Sequence, residues 1–467
     1  MDADVAKPEK PRKRRWLRWL LLASVGLLAG AFSLYLLWET HTQSTFEEEI
    51  GRLRAAGEPL TPEELWPPEI QPESENAALL YEQAYALFQE SGYDAFEGGV
   101  GLDISWDDPG SWSEEATAAV RHTLAQCDEA LALVRRAAHM ERCRFDPNLE
   151  NRPPTSQSPY FSLRDAARAL SWSAGIKLRD GDVHGAVQDA HDAFLTSRAV
   201  ADEPRTFAFM VRALIAATAL DEAQNVLRDC NGEADLVRTF LADVRQDRPS
   251  VRAQLVAAYK GERVVNLVLT TQLLGRTDLL PKTSFSVGAP VGPRMNWFER
   301  RFIVGSGTVF SQTMTRMAEM AQADYVDARP LMDALIVDSE NWKKHYLLNL
   351  SHQLTAAVVQ PMVRNKEVET GTEARLAVAE AVFALRLYKA EHREYPESLD
   401  ALSPAFLQAV PTDPFTSKPL VYVREGEGFL VYSIGLNGKD DGGLTETEED
   451  DRAVDPGTDD VAWRCSR

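Results

Sequence analysis

The stretch TEARLAVAEAVFALRLYKAEHREYP, residues 372–396, and the seventy residues after it carry the pattern that identifies the C-terminal part of the chain. Leu376, Ala379, Val382, Phe383, Leu385 and Tyr388 recur at helical spacing, and Thr372 is placed to cap. Tyr395-Pro396 ends the run, because proline lacks the amide hydrogen and clashes with the preceding turn. The spacing predicts a helix over Glu373 to Glu394. Leu399 and Leu402 come next, and then a turn punctuated by prolines, Val410-Pro411-Thr412-Asp413-Pro414. Leu420-Val421-Tyr422-Val423 and Phe429-Leu430-Val431-Tyr432-Ser433 are β-branched and aromatic runs joined by the turn Glu425 to Gly428, which predicts an antiparallel hairpin. The order is helix, loop, hairpin, acidic tail.

Residues 366–467 resemble the periplasmic domain of the type II secretion major pseudopilin, the G-type pseudopilin. The matching residues are Ala384-Leu385-Arg386-Leu387-Tyr388-Lys389, Tyr395-Pro396, Leu399, Leu402 and Val410-Pro411-Thr412-Asp413-Pro414-Phe415. They continue with Tyr432-Ser433-Ile434-Gly435-Leu436-Asn437-Gly438 and Asp459-Asp460-Val461-Ala462-Trp463. The resemblance implies a long helix packed on a small antiparallel sheet, and a calcium site whose matching positions are Asn437, Asp459 and Asp460. Calcium takes six to eight oxygen ligands, so backbone carbonyls would complete the shell. The acidic groups from Asp440 to Asp455 repel one another unless solvated or neutralised by a cation. Asn437 stands where the family has an acid. The leader and the glutamate that head the family's helix have no counterpart here, so the chain is not expected to polymerise as a standard pseudopilin.

On the N-terminal side of this unit, residues 76–365 are dominantly helical in pattern. Leu79, Leu80, Ala84, Leu87 and Phe88 mark one amphipathic helix, and Ser113-Glu114-Glu115 opens another that runs to about His139. Between Leu163 and Ala201 two helices flank the turn Arg179-Asp180-Gly181-Asp182, with Ala166, Ala167, Leu170 and Ala174 facing Ala186, Ala190, Ala193 and Phe194 as an αα-hairpin. That hairpin weakly resembles a tetratricopeptide unit, without a copy 34 residues on. Further helices are predicted over Leu236 to Val244, Val251 to Leu274, Met314 to Ala328 and Ser339 to Val363. Leu279 to Trp297 is expected as a long loop.

The N-terminal end is segregated. Lys7, Lys10, Arg12, Lys13, Arg14, Arg15 and Arg18 precede Trp19 to Trp38, a run without charge. As a helix the run rises about 30 Å, the thickness of a bilayer's hydrocarbon, with Trp16, Trp19 and Trp38 at interfacial positions. Basic residues stay on the cytoplasmic side, so a single-pass inner-membrane protein with a cytoplasmic N-terminus and an extracytoplasmic, periplasmic bulk is expected. A cleaved signal peptide is the alternative, since Ala29-Gly30-Ala31 has the small-x-small form. The run continuing through Phe32 to Leu37 favours the span. Phe46 to Ala56 reads as a short polar helix, and Pro59, Pro62, Pro67, Pro68 and Pro72 read as a stiff spacer. The expected parts are a tail (1–15), an anchor (16–38), a spacer (39–75), a helical body (76–365) and the pseudopilin-like unit (366–467).

The 71 acidic against 50 basic side chains in 467 residues give a formal charge of -21, which disfavours a nucleic-acid partner. Four cysteines, Cys127, Cys143, Cys230 and Cys465, do not make a disulfide framework. Cys127 and Cys143 could pair across a bend, although three full connectivities are open, and His139 and Cys143 have the spacing of two metal ligands on a helix. His184 and His191, like His345 and His352, are seven apart, too far along a helix to share one metal. No zinc-protease helix, nucleophile elbow or phosphate-binding loop occurs, and no catalytic residue is assigned. The fold expected is mainly α, with one transmembrane helix, a body of helical hairpins and a small C-terminal α+β unit. The function expected is a membrane-anchored docking protein, with secretion or pilus-like proteins as partners. A tethered binding protein reusing the fold is the alternative, and an unrecognised envelope enzyme comes third.

Overall fold

The structure is a computed structural model that describes residues 13–66, 69–91, 112–145, 159–228, 232–282, 297–345, 350–444 and 460–465. Among the described residues are twelve α-helices: α1 (Lys13–Ala55), α2 (Ala77–Glu90), α3 (Glu114–Gln126), α4 (Asp128–Ala138), α5 (Pro159–Arg179), α6 (Val183–Thr196), α7 (Thr206–Arg228), α8 (Ala234–Leu274), α9 (Trp297–Gln322), α10 (Tyr325–Lys344), α11 (Gln353–Val363) and α12 (Asn365–His392). Three strands, β1 (Val421–Glu425), β2 (Gly428–Ser433) and β3 (Val461–Cys465), form an antiparallel sheet in that order. The chain is mainly helical with a small antiparallel sheet near its C-terminus, as expected from the pattern.

Local chemistry accounts for several boundaries. Ser113 caps α3 by accepting from the Ala116 N–H, and Asp182 caps α6 by accepting from the Gly185 N–H. The expected helix from Ser113 to His139 is broken at Cys127, which ends α3 and precedes α4. The α5–α6 hairpin forms as read, with Gly181 at φ 81° in the turn and Ala166, Ala167, Ala174, Ala186, Ala190 and Ala193 buried. Its small side chains let the two axes approach closely.

Helix α8 corrects the expected pair of helices on either side of Arg248-Pro249. It runs unbroken through Pro249, although proline removes one helical hydrogen bond there. Pro249 lies on the exposed face, while Val244, Val251, Leu255 and Tyr259 continue one buried stripe on both sides of it. That packing outweighs the local cost. At Gly261 the same helix passes so close to the turn before α7 that an added Cβ would stand 1.8 Å from the Pro204 carbonyl oxygen. Gly261→Ala should therefore destabilise the protein by roughly 1–3 kcal/mol, although alanine is worth about 1 kcal/mol more than glycine in an unobstructed helix. A raised midpoint in urea denaturation would contradict this contact.

Helix α12 is the C-terminal unit's link to the body. Its buried face runs from Leu376 to Leu387, and it packs on α8 and α7 as well as on β2 and β3. All six residues of β2 are buried, with Val431 opposite Tyr422 on one side and Trp463 on the other. The turn before the sheet is pinned by buried Asp413, which accepts from the Phe415 and Ile434 N–H groups and from the Thr416 and Ser433 hydroxyls. A ladder of rings, Phe194, Phe240, Phe383 and Trp463, joins α6, α8, α12 and β3 with centroids 5.4, 4.8 and 5.7 Å apart. One hydrophobic cluster thus runs from Ala77 to Cys465, and the expected boundary at 365/366 has no break in packing.

The segment 39–75 is not a free spacer. Phe46, Ile50, Leu53 and Leu60 form a buried cluster with Leu267 and Val268 of α8 and Val304 of α9, and Trp66 and Ile70 are buried too. Glu49 accepts from the Ser311 hydroxyl at 2.9 Å, and Glu58 accepts from Lys260 and from fully buried Arg263. Leu60, Trp66 and Ile70 are scattered among prolines without a period, which is why that part of the segment reads as a spacer. The expected helix from Phe46 is the end of α1, which is continuous from Lys13. Among the described residues no helix is long and apolar enough to cross a membrane. Trp19, Leu20, Leu22, Val25, Leu27 and Leu28 of α1 are exposed.

Helix α8 connects these two regions. Its Leu267 and Val268 seat the end of α1, while Phe240 and Arg245 meet α12, where Arg245 and Arg248 both pair with Glu380. At 1.5 Å per residue the two seats lie roughly 40 Å apart along one helix.

Candidate functional site

Two features outside the simple packing of helices have the character of sites. The first is the loop between β2 and β3, where the pseudopilin resemblance implies a calcium site. Asn437 lies in this loop, Asp460 lies immediately before β3, and Asp459 is outside the described residues. The Asn437 amide donates to Asp441 at 2.7 Å, and its carbonyl oxygen accepts from the Lys439 N–H at 2.6 Å. Asp440 accepts from the Tyr432 hydroxyl and from the Gly442 N–H. Asp460 is only 3% exposed, and its Oδ2 accepts from the Gly443 N–H at 2.8 Å. Its Oδ1 is buried without a hydrogen-bond partner.

That orphaned oxygen has an electrostatic consequence. Burial pushes the Asp460 carboxyl up to about 6, with the charges of Asp441 and Asp440 adding to the effect and the Gly443 and Asp441 N–H groups opposing it. A carboxylate oxygen left without a donor, beside two further carboxylates, is the chemistry of a place that a cation would satisfy. Among the described residues no group of three His, Cys, Asp or Glu side chains converges on one metal position. Of the positions put forward for calcium, Asp460 has an oxygen without a partner, while Asn437 has its oxygen already engaged.

The second feature, absent from the sequence reading, is a cleft of about 410 Å³ between α4, α6 and α8, lined by Tyr81, His139, Cys143, Arg198, Asp243 and Ser250 among others. Two histidine–aspartate pairs meet at its wall. His139 Nε2 is 2.7 Å from Asp192, and His191 Nε2 is 2.8 Å from Asp243, with the two imidazoles edge-to-face at 6.3 Å. Burial raises the Asp192 carboxyl, against the opposing pull of His139. At Asp243 burial acts upward too, but hydrogen bonds from His191 and Arg198 outweigh it and hold the carboxyl below its usual range. Arg198 also pairs with Asp247, which pairs in turn with buried Arg212.

The cleft's serine and cysteine are not poised as nucleophiles. Burial pushes the Cys143 thiol well up, so it stays protonated, and the Ser250 hydroxyl donates to the Asp247 carbonyl at 2.6 Å. The arrangement is one of oriented charges in a recess, suited to binding. The expected His139 and Cys143 face does not form, because α4 ends at Ala138 and His139 turns to Asp192. Cys127, Cys143 and Cys465 are free thiols, so Cys127 and Cys143 do not pair, and Cys230 is outside the described residues. His184 pairs with Glu233, and the His352 ring lies 4.9 Å from the Trp342 ring, where burial lowers its pKa. The available signal for the cleft was the string Asp189, His191, Asp192 within an alanine-rich helix. Asp189 is itself buried and held by Arg135, Lys177 and Ser173.

No protein family, curated protein or solved structure matches the chain.

Proposed function

We propose that the protein is a membrane-anchored extracytoplasmic scaffold that holds a pseudopilin-like α+β unit away from the bilayer as a docking element of a type II secretion or pilus-like apparatus. The observation that carries this reading is helix α8, which seats the end of α1 at one end and α12 with its sheet at the other. The N-terminal apolar run, Trp19 to Trp38, is the anchor. Its described side chains stand exposed on α1 and need an apolar partner that the body does not supply. Purification from native membranes in mild detergent tests the reading. Recovery of pseudopilins or other secretion-machine components is expected, and their consistent absence would contradict it. The cleft beside His139 favours a second reading, a tethered binding protein whose α+β unit has no part in secretion.

Calcium belongs to the proposal, with Asp460, Asp459 and Asn437 as the side chains that the pseudopilin resemblance puts forward. An aspartate usually ionises near 3.8, and Asp460 does so near 6 in the fold. Between those values the folded state holds a proton that the unfolded chain has lost, so this group's contribution to stability falls as pH rises from 4 to 6. Above pH 6 the full cost is present, roughly 2 to 3 kcal/mol. Asp460→Asn should thus raise the melting temperature of the calcium-free protein at pH 7 and flatten its pH dependence between 4 and 6. A bound cation favours the ionised form, so calcium should stabilise the parent, by about 2.7 kcal/mol at a hundred times its dissociation constant, and leave Asp460→Asn unchanged. Thermal unfolding with calcium and with chelator decides this, and equal shifts in both proteins would remove Asp460 from the site.

A further inference from the structure

We propose that the first two turns of α9, Trp297-Phe298-Glu299-Arg300-Arg301-Phe302, form a second membrane contact, lying in the headgroup layer of the bilayer that α1 enters. The inference rests on the anchor reading above and on the direction in which three helices pack. Helix α9 runs parallel to α1: Glu49 accepts from Ser311, and farther along both chains Arg263 bridges Glu58 and Thr315. The Arg52 guanidinium likewise feels the charge of Glu319, beyond Ser311. Both helices rise about 1.5 Å per residue. Counting back from the Glu49–Ser311 contact, Trp297 is level with Tyr35, and Arg300 is level with Trp38, the last residue of the uncharged run.

Helix α8 runs the other way. Arg263 meets Thr315, and Thr270 lies against Gly307, where an added Cβ would stand 2.5 Å from its hydroxyl. Four residues past Thr270, α8 ends at Leu274, level with residue 303 of α9. The chain after it folds back beside α1, with Arg276 on Glu47 and the Leu279 carbonyl accepting from Arg54. The opening turns of α9 therefore extend beyond the end of α8, alongside the outer end of the uncharged run. That six-residue stretch carries three aromatic and two arginine side chains. Aromatic rings concentrate at the membrane interface, and arginine reaches phosphate oxygens from that depth. With α1 as the sole contact, the body could turn about the anchor's axis. A second contact at the same level fixes one face of the body toward the lipid.

The test uses the full chain reconstituted in vesicles of phosphatidylethanolamine and phosphatidylglycerol. An environment-sensitive fluorophore is placed in turn at Phe298→Cys, Arg301→Cys, Val25→Cys and Glu394→Cys, with the labelled parent chain as the blank for native thiols. Glu394 serves as the aqueous control, because α12 runs antiparallel to α8 and ends near the far end of that helix. Labels at 298 and 301 should lose fluorescence to lipids carrying a nitroxide at the headgroup. The label at 25 should lose it to a nitroxide near the chain ends, and the label at 394 to neither. A label at 25 quenched from the bilayer interior, with 298 and 301 both unquenched, would overturn the second contact and leave the anchor standing. An unquenched label at 25 would overturn the anchor, and this inference with it.

Discussion

Replacing Glu369 with leucine is expected to cost the protein about 3–5 kcal/mol of stability, the usual consequence of stripping one partner from a buried ion pair. Glu369 and Lys366 are one turn apart on α12, with side chains 0% and 1% exposed and the ammonium 2.7 Å from the carboxylate. The carboxylate also takes the Arg252 guanidinium of α8 at 3.2 Å and the Thr370 hydroxyl. Without Glu369, Lys366 keeps a 3.4 Å contact to the Ala321 carbonyl and the charge of Glu373, and an ammonium that deep cannot recover its water. Arg252 fares better, because Asp324 and Glu373 remain to it. Replacing both members, Lys366→Met with Glu369→Leu, should recover much of the loss, since methionine and leucine fill the space without a charge to desolvate. The check is a double-mutant cycle by urea denaturation. A single Glu369→Leu as stable as the parent would show that the cluster contributes nothing.

Phe383→Ala should cost a similar amount, about 3–5 kcal/mol, for a different reason. The ring is fully buried in α12 and touches Phe240 of α8 on one side and Trp463 of β3 on the other. Its removal opens a cavity that neither a rigid helix nor a short strand can close. Because the ring belongs to the body's cluster and to the sheet's, the variant should still unfold in one transition at a lower denaturant midpoint. Helical circular dichroism and tryptophan fluorescence should move together. A variant in which the sheet melts separately, well before the helices, would mean that residues 366–467 form an independent domain.

That question separates what is legible in the sequence from what is not. The β1–β2 hairpin is legible because Val421 to Val423 and Phe429 to Ser433 are dense in strand-forming residues about a short turn. β3 is not read as a strand, because its five residues come after a long acidic stretch and gain their place only by pairing with β2. The α5–α6 hairpin is legible from its turn and small residues, whereas the continuity of α8 through Pro249 is not. A proline is a local signal, and the buried stripe that overrides it is a tertiary one. The seat of α1 is hidden for the same reason: Leu60, Trp66 and Ile70 are buried from an aperiodic, proline-rich segment. In the cleft, His139 meets Asp192 and His191 meets Asp243 across 53 and 52 residues, a juxtaposition that no spacing rule reaches. Asp460 is picked out by resemblance alone, and its unpartnered oxygen becomes visible only when the surrounding loop is folded.

The claim on which the rest depends is that a membrane-embedded α1 carries the helical body and its α+β unit. Alkaline carbonate extraction of membranes containing the full chain tests it most directly, because it strips proteins held by surface contacts and leaves those held by a spanning helix. The protein is expected to stay in the membrane pellet. Release of the chain into the supernatant would contradict it.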